Sequence, residues 1–273
     1  MAETVSTVPP QAPALLRLGL AACFIGHGTY GVLTKAAWVP YFAVVGIGED
    51  WAWRLMPWVG AMDIALGFLA LTHPCRALFA WTALWALWTA LLRPLAGEPF
   101  WETLERAGNY GVPLVLLLAA GWKDPPWTRV SESWRDLDPA GLRRCVRGLQ
   151  LTTATLLAGH AGLGLIVVKP GLVCHYAALG LPHPAAVARG IGAFEFVLAV
   201  AVLVAARPAL LVTVAGWKLA TESLFLIGGT PAPLFEVIER GGSYAAPLAL
   251  ALLQLPPVAL PPHSHSERPQ TPP

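Results

Sequence analysis

Six ionisable side chains stand inside otherwise apolar stretches of this 273-residue chain: His27, Asp63, His160, Glu195, Lys218 and Glu222. A charge in such surroundings is expensive and turns inward toward partners, so each is a functional candidate. A histidine beside a carboxylate can hold, accept or release a proton near neutral pH, with the carboxylate tuning the imidazole. The same residue types ligate iron or zinc, although no HExxH or ExxH spacing is present; His160, Glu195 and Glu222 are the residues a metal would use. The bland alternative stays open: a histidine and an acid at one depth can satisfy each other as interhelical glue. A second polar group recurs at three- and four-residue spacing, which predicts one helical face: Glu102, Arg106, Asn109, Tyr110 and Pro113, and again Glu236, Arg240, Ser243, Tyr244 and Pro247. The four cysteines show no metal-binding spacing.

The elements that must carry these residues are apolar. Hydrophobic residues make up 56% of the chain and charged residues only 12%, about half of what wets a soluble surface. That composition excludes an ordinary cytosolic enzyme, a nucleic-acid binder and a disordered scaffold, and a net charge of +2 implies no polyanionic partner. The expected partner is the lipid bilayer. Crossing a bilayer core takes about 20 helical residues. Eight stretches qualify: Ala14–Thr34, Leu55–His73, Arg76–Leu92, Phe100–Trp122, Gly148–Lys169, Ala186–Ala206, Pro208–Ile227 and Leu234–Leu255. Residues 1–13 read as an N-terminal tail without a cleavable signal peptide, 123–147 as a polar cytoplasmic linker, and 256–273 as a disordered Pro-rich tail.

The halves on either side of the linker match. Pro99–Leu118 and Pro233–Leu252 share ten of 20 positions without a gap, including both glutamates, the arginine and the tyrosine. Gly26-His27 and Gly31 match Gly159-His160 and Gly164, and Gly60–Asp63 matches Gly192–Glu195. The prediction is an all-α polytopic membrane protein with eight transmembrane helices: two four-helix bundles, residues 14–122 and 148–255, as parallel repeats. Lys and Arg favour one side by ten to seven, which predicts cytoplasmic termini in a plasma (inner) membrane. At a rise of about 1.5 Å per residue, His27 and Asp63 share one level about 10–12 Å from the outer face, and His160, Glu195 and Glu222 lie about 9–14 Å from it. Each unit is thus expected to hold an outer-leaflet pocket: a floor of His27 and Asp63 under Glu102, Arg106 and Tyr110, and a floor of His160 and Glu195 under Glu236, Arg240 and Tyr244. Glu222, which has no acidic counterpart in the first half, favours the second pocket. The Trp81, Trp85 and Trp88 stripe reads as packing.

These motifs carry a resemblance. A first span reading Arg17-x8-Gly26-His27-Gly28, a second with Gly60 to Asp63, and a fourth opening Arg106-Ala107-Gly108-Asn109 resemble the DoxX-like membrane proteins; the second unit departs at the last motif with Gly241-Gly242-Ser243. The resemblance implies small four-span bundles, here fused in pairs, and association with redox chemistry at a bacterial membrane, quinone-linked in a few members. The leading expectation is a redox-associated, quinone- or proton-linked membrane subunit, with a redox partner protein implied. The alternatives are a small-solute or proton-coupled permease and a structural membrane partner without catalysis. No motif compels an enzyme.

Overall fold

A computed structural model describes residues 9–130, 134, 137–227 and 232–255. The described chain is helical, with one isolated bridge between Cys75 and Arg129. In order the helices are α1 (Gln11–Leu33), α2 (Val39–Val44), α3 (Glu49–Thr72), α4 (Arg76–Leu95), α5 (Trp101–Glu105), α6 (Ala107–Ala120), α7 (Pro139–Ala161), α8 (Pro170–Ala178), α9 (Pro184–Val204), α10 (Pro208–Glu222), α11 (Pro233–Ile238) and α12 (Gly241–Leu253). Among the described residues, five helical stretches are long and apolar enough to cross a membrane: Glu49–Thr72, Arg76–Leu95, Pro139–Val167, Pro184–Val204 and Pro208–Leu226. Large apolar side chains such as Trp58, Phe68, Phe196 and Val204 project outward, a surface that acyl chains would cover.

Some boundaries differ from expectation. α1 starts at Gln11, inside the expected tail, and α7 starts at Pro139, inside the expected linker. Proline at the first helical position and an Asp138 side chain accepting from Gly141 N at 2.6 Å fix the α7 start. The Pro-rich tail 256–273 lies outside the described residues.

Two expected spans are interrupted near their polar starts. α5 gives way to α6 at Arg106 and α11 to α12 at Arg240. The reason is chemical. Arg106 Nη1 donates to the Glu102 carbonyl at 3.1 Å, and Arg240 Nη1 donates to the Glu236 carbonyl at 2.7 Å. Each arginine side chain occupies the acceptor its own backbone amide would use in an unbroken helix. Beside each break a tyrosine hydroxyl donates to another carbonyl, Tyr110 to Thr103 at 3.2 Å and Tyr244 to Val237 at 3.1 Å.

Glycines set the packing. Gly28 and Gly31 of α1 lie against the Gly60 backbone of α3, and Gly164, in the π-helical turn after α7, lies against Gly192 of α9. A Cβ at any of these glycines would meet neighbouring backbone, so the close approach requires their absence. The two halves interlock rather than standing side by side. α1 packs on α12 as well as on α3, and α7 packs on α6 as well as on α9. Gly108 of α6 and Gly242 of α12 touch backbone to backbone where the halves meet. Across that junction Gly26 faces Glu239 and Gly159 faces Glu105, so each histidine-bearing helix is set against the acidic turn of the other half.

Candidate functional site

Two cavities flank this junction, each with one of the histidines in its wall. In the first, His27 on α1, Asp63 on α3 and Trp85 on α4 form a chain. His27 Nδ1 lies 2.8 Å from Asp63 Oδ2, and Trp85 Nε1 donates to Asp63 Oδ1 at 2.9 Å. Asp63 is buried at 1% exposure while the His27 side chain keeps 26%, so the acid is sealed and the imidazole stays accessible. The imidazole stacks on Trp38, ring centroids 4.4 Å apart. It borders a cavity of about 370 Å³ walled mainly by aromatic and aliphatic side chains, among them Trp38, Phe42 and Trp88, with Arg93, Arg106, Asn109 and Glu239 among its polar members. A smaller void of about 20 Å³ lies between His27, Asp63, Trp85 and Asn109, enough for one water.

The mouth of the first cavity is tied outside the long helices. The Tyr41 hydroxyl donates to Glu98, and Arg93 Nη1 reaches both Tyr41 Oη at 3.0 Å and Glu98 at 3.1 Å. Burial pushes the Tyr41 hydroxyl well above its ordinary pKa, against the opposing pull of Arg93, and holds it in the donor form.

The second cavity, about 220 Å³, repeats the acid–indole contact: Trp217 Nε1 donates to Glu195 Oε1 at 3.1 Å. Its other walls include Leu163, Leu172, Ile191 and Phe225, and one side carries an ionic cluster. Lys218, fully buried, lies 2.9 Å from Glu222 and 3.5 Å from Glu195. His160 Nε2 stands between Glu222 at 3.1 Å and Glu105 at 3.4 Å, and Arg240 Nε lies 2.7 Å from the other Glu222 oxygen. Glu105, from the first half, also binds Arg106 and so joins the second cavity to the edge of the first. On α8, outside the long helices, burial and then the nearby Arg240 hold the His175 imidazole below its ordinary pKa, despite Glu222 and Glu236.

The sequence candidates divide accordingly. His27 pairs with Asp63 as expected, whereas His160 pairs with Glu222 and Glu105 and leaves Glu195 to Trp217 and Lys218. Glu102 and Glu236 serve the breaks. Each is bound to its own arginine and, across the junction, to a lysine from the other half, Lys169 for Glu102 and Lys35 for Glu236. Tyr110 and Tyr244 line neither large cavity; instead of forming a lid, their hydroxyls are spent on the Thr103 and Val237 carbonyls at the breaks.

Lys218, Trp85 and Trp217 had no assigned contact in the sequence reading. A signal for the tryptophans exists: both follow their acid by 22 residues. Among the described residues, Glu105, His160 and Glu222 form the group with metal-ligand proximity, their ligand atoms within 4.8 Å of one another. The fit to a divalent ion is poor. Both Glu222 oxygens already face cations, Lys218 and Arg240, and an incoming metal would have to displace them.

The chain matches no protein-family model, no curated protein and no solved structure.

Proposed function

We propose that the chain is a redox-associated plasma-membrane protein of the DoxX-like kind, with eight spans built from two parallel four-span units joined in tandem and both termini in the cytoplasm. On this reading its ligand site is the first cavity, and the ligand is a flat apolar ring bearing carbonyl oxygens, such as a quinone head group. Duplication is supported by the matched contacts: Asp63–Trp85 with Glu195–Trp217, Lys35–Glu236 with Lys169–Glu102, and Gly26 against Glu239 with Gly159 against Glu105.

One observation carries the ligand reading: an aromatic-walled cavity of about 370 Å³ bordered by an accessible histidine whose other face is held by a buried acid. Ligand sites of this kind are mostly apolar, with a few convergent polar groups. A bound quinone supplies reversible uptake of two electrons and two protons. The chain's part is to bind and orient the ring between aromatic walls, to exclude water, and to move a proton at His27. Asp63 accepts from His27 Nδ1, which leaves Nε2 as the atom that exchanges hydrogen bonds or protons with a ligand carbonyl. Trp85 keeps Asp63 from turning away. Titration of a short-chain quinone into detergent-purified protein should quench tryptophan fluorescence saturably, and His27→Ala should weaken that binding at least about tenfold, the loss of one charge-assisted contact. Absence of saturation, or equal affinity in the variant, would reject the reading.

A second reading, a proton-coupled permease, is favoured by the ionic run Arg106–Glu105–His160–Glu222–Lys218–Glu195 that leads from one cavity into the other. Proteoliposome proton flux without any bound quinone would select it. If Glu222→Gln and His160→Ala change no flux or ligand assay and only lower thermal stability, a purely structural membrane role remains.

A further inference from the structure

A third cavity, about 210 Å³, lies near the start of α1, at the opposite end of that helix from His27. Among the described residues its charged lining is Arg17, Arg76, Arg129 and Asp124, and its apolar lining includes Phe79 and Trp134. Arg76 opens α4 and is 5% exposed. Its Nε donates to the Gly121 carbonyl at 2.8 Å, and its Nη2 donates to Ala120 O and Asp124 Oδ2, both at 2.9 Å. Those bonds consume the carbonyls that end α6 and lock the guanidinium plane. They leave Nη1, a buried nitrogen with two protons and no acceptor among the described residues. A buried guanidinium nitrogen without an acceptor is costly, and an anion oxygen is its natural partner. Arg17 and Arg129 make polar contacts of their own and contribute here through their charge. Among the described lining residues Arg17, Arg76 and Arg129 stand with Asp124, and the N-terminus of α4 lies at the same wall, a setting that favours an anion.

We propose that this cavity binds a phosphate group, through Arg76 Nη1. The chemistry is shared by a phospholipid head group and by a free phosphate. The apolar lining beside the arginines suits a head group with part of its glycerol. The second half offers no equivalent: Gln150 of α7 donates to the carbonyls of Val202 and Leu203, and α10 opens with Pro208. The site is therefore independent of the His27 cavity, and either can fail without the other.

The test uses the full-length protein in nanodiscs of phosphatidylcholine doped with phosphatidylglycerol, with lipid retention read by native mass spectrometry, and in parallel inorganic phosphate added to detergent-purified protein with thermal shift as readout. Selective retention of phosphatidylglycerol identifies a head group; a phosphate-dependent shift without lipid selectivity identifies a soluble phosphate. Either supports the site if Arg76→Gln reduces the effect to background and Asp124→Asn, which removes the competing carboxylate from a side chain 60% exposed, strengthens it about threefold or more. Should Arg76→Gln lose the α6 cap and fail to fold, Asp124→Asn decides alone. Binding of neither probe above the phosphatidylcholine background, or equal binding by wild type and Asp124→Asn, overturns the proposal.

Discussion

The two histidine cavities share an indole fixed to a buried acid, and they part at two positions one helical turn from each other. After Trp85 of α4 come Ala86 and Ala90; after Trp217 of α10 come Lys218 and Glu222. Small side chains leave the first cavity wide, apolar and open to a ligand. The lysine and glutamate bring charge to the second, where Lys218, Glu222, His160, Glu105 and Arg240 form one ion-paired cluster beside a cavity of about 220 Å³. On the proposed reading, these positions separate a binding site from a structural one. A lone accessible histidine with a sealed acid behind it is available chemistry, whereas five mutually paired groups are committed to the fold. Glu222, the acid without a counterpart in the first half, lies against Lys218, Arg240 and His160, so its lack of a counterpart does not by itself mark it as available.

The largest effect should come from breaking the second cavity. Lys218→Met leaves Glu222 and Glu195 buried without their shared cation and should destabilise the detergent-solubilised protein by about 3–5 kcal/mol. Replacing both residues, Lys218→Ala with Glu222→Ala, imposes the first half's own side chains and should recover at least half of that loss in thermal unfolding. Equal damage from the single and double variants would mean the cavities differ in more than these two positions.

A smaller and equal effect is expected at the matched glycines. Gly60→Val and Gly192→Val both push a side chain into facing backbone and should each cost about 1–3 kcal/mol. Gly190→Ala, which meets nothing nearby, should be neutral within about 0.5 kcal/mol. Unequal costs at Gly60 and Gly192 would argue against equivalent packing of the two halves.

The smallest effect is a pH dependence on the second side. The folded state holds His175 below its ordinary value of 6.5, so between the two pKa values the unfolded chain binds more protons than the folded one. The contribution of neutral His175 is complete above 6.5 and is lost as pH falls toward the folded value. His175→Phe, which keeps an aromatic ring against Phe225, should flatten the pH slope of the melting temperature below 6.5. An unchanged slope would place the titration elsewhere.

The sequence made much of this legible. Hydropathy and span length predicted eight crossing stretches; the five helical stretches long and apolar enough to cross overlap five of them, and Ala14–Thr34, Phe100–Trp122 and Leu234–Leu255 are not among these. The approach of His27 to Asp63 followed from depth counting alone. Three features were hidden. Depth counting places residues at a level but not around a helix, so it paired His160 with Glu195 rather than with Glu222 and Glu105. Helical periodicity assumed continuity through Arg106 and Arg240, where side-chain donors to the backbone end the helix, and so it sent Tyr110 and Tyr244 to the wrong place. The interlocking of α1 with α12 and α7 with α6 is a tertiary choice that a repeat search cannot see.

The central proposal is that the first cavity is the ligand site and that the charged groups beside the second are paired with one another. Quinone content measured by mass spectrometry in lipid extracts of purified wild type, His27→Ala and His160→Ala tests it most directly. The account predicts co-purifying quinone in wild type and in His160→Ala, and its loss in His27→Ala. Loss with His160→Ala and retention with His27→Ala would contradict it.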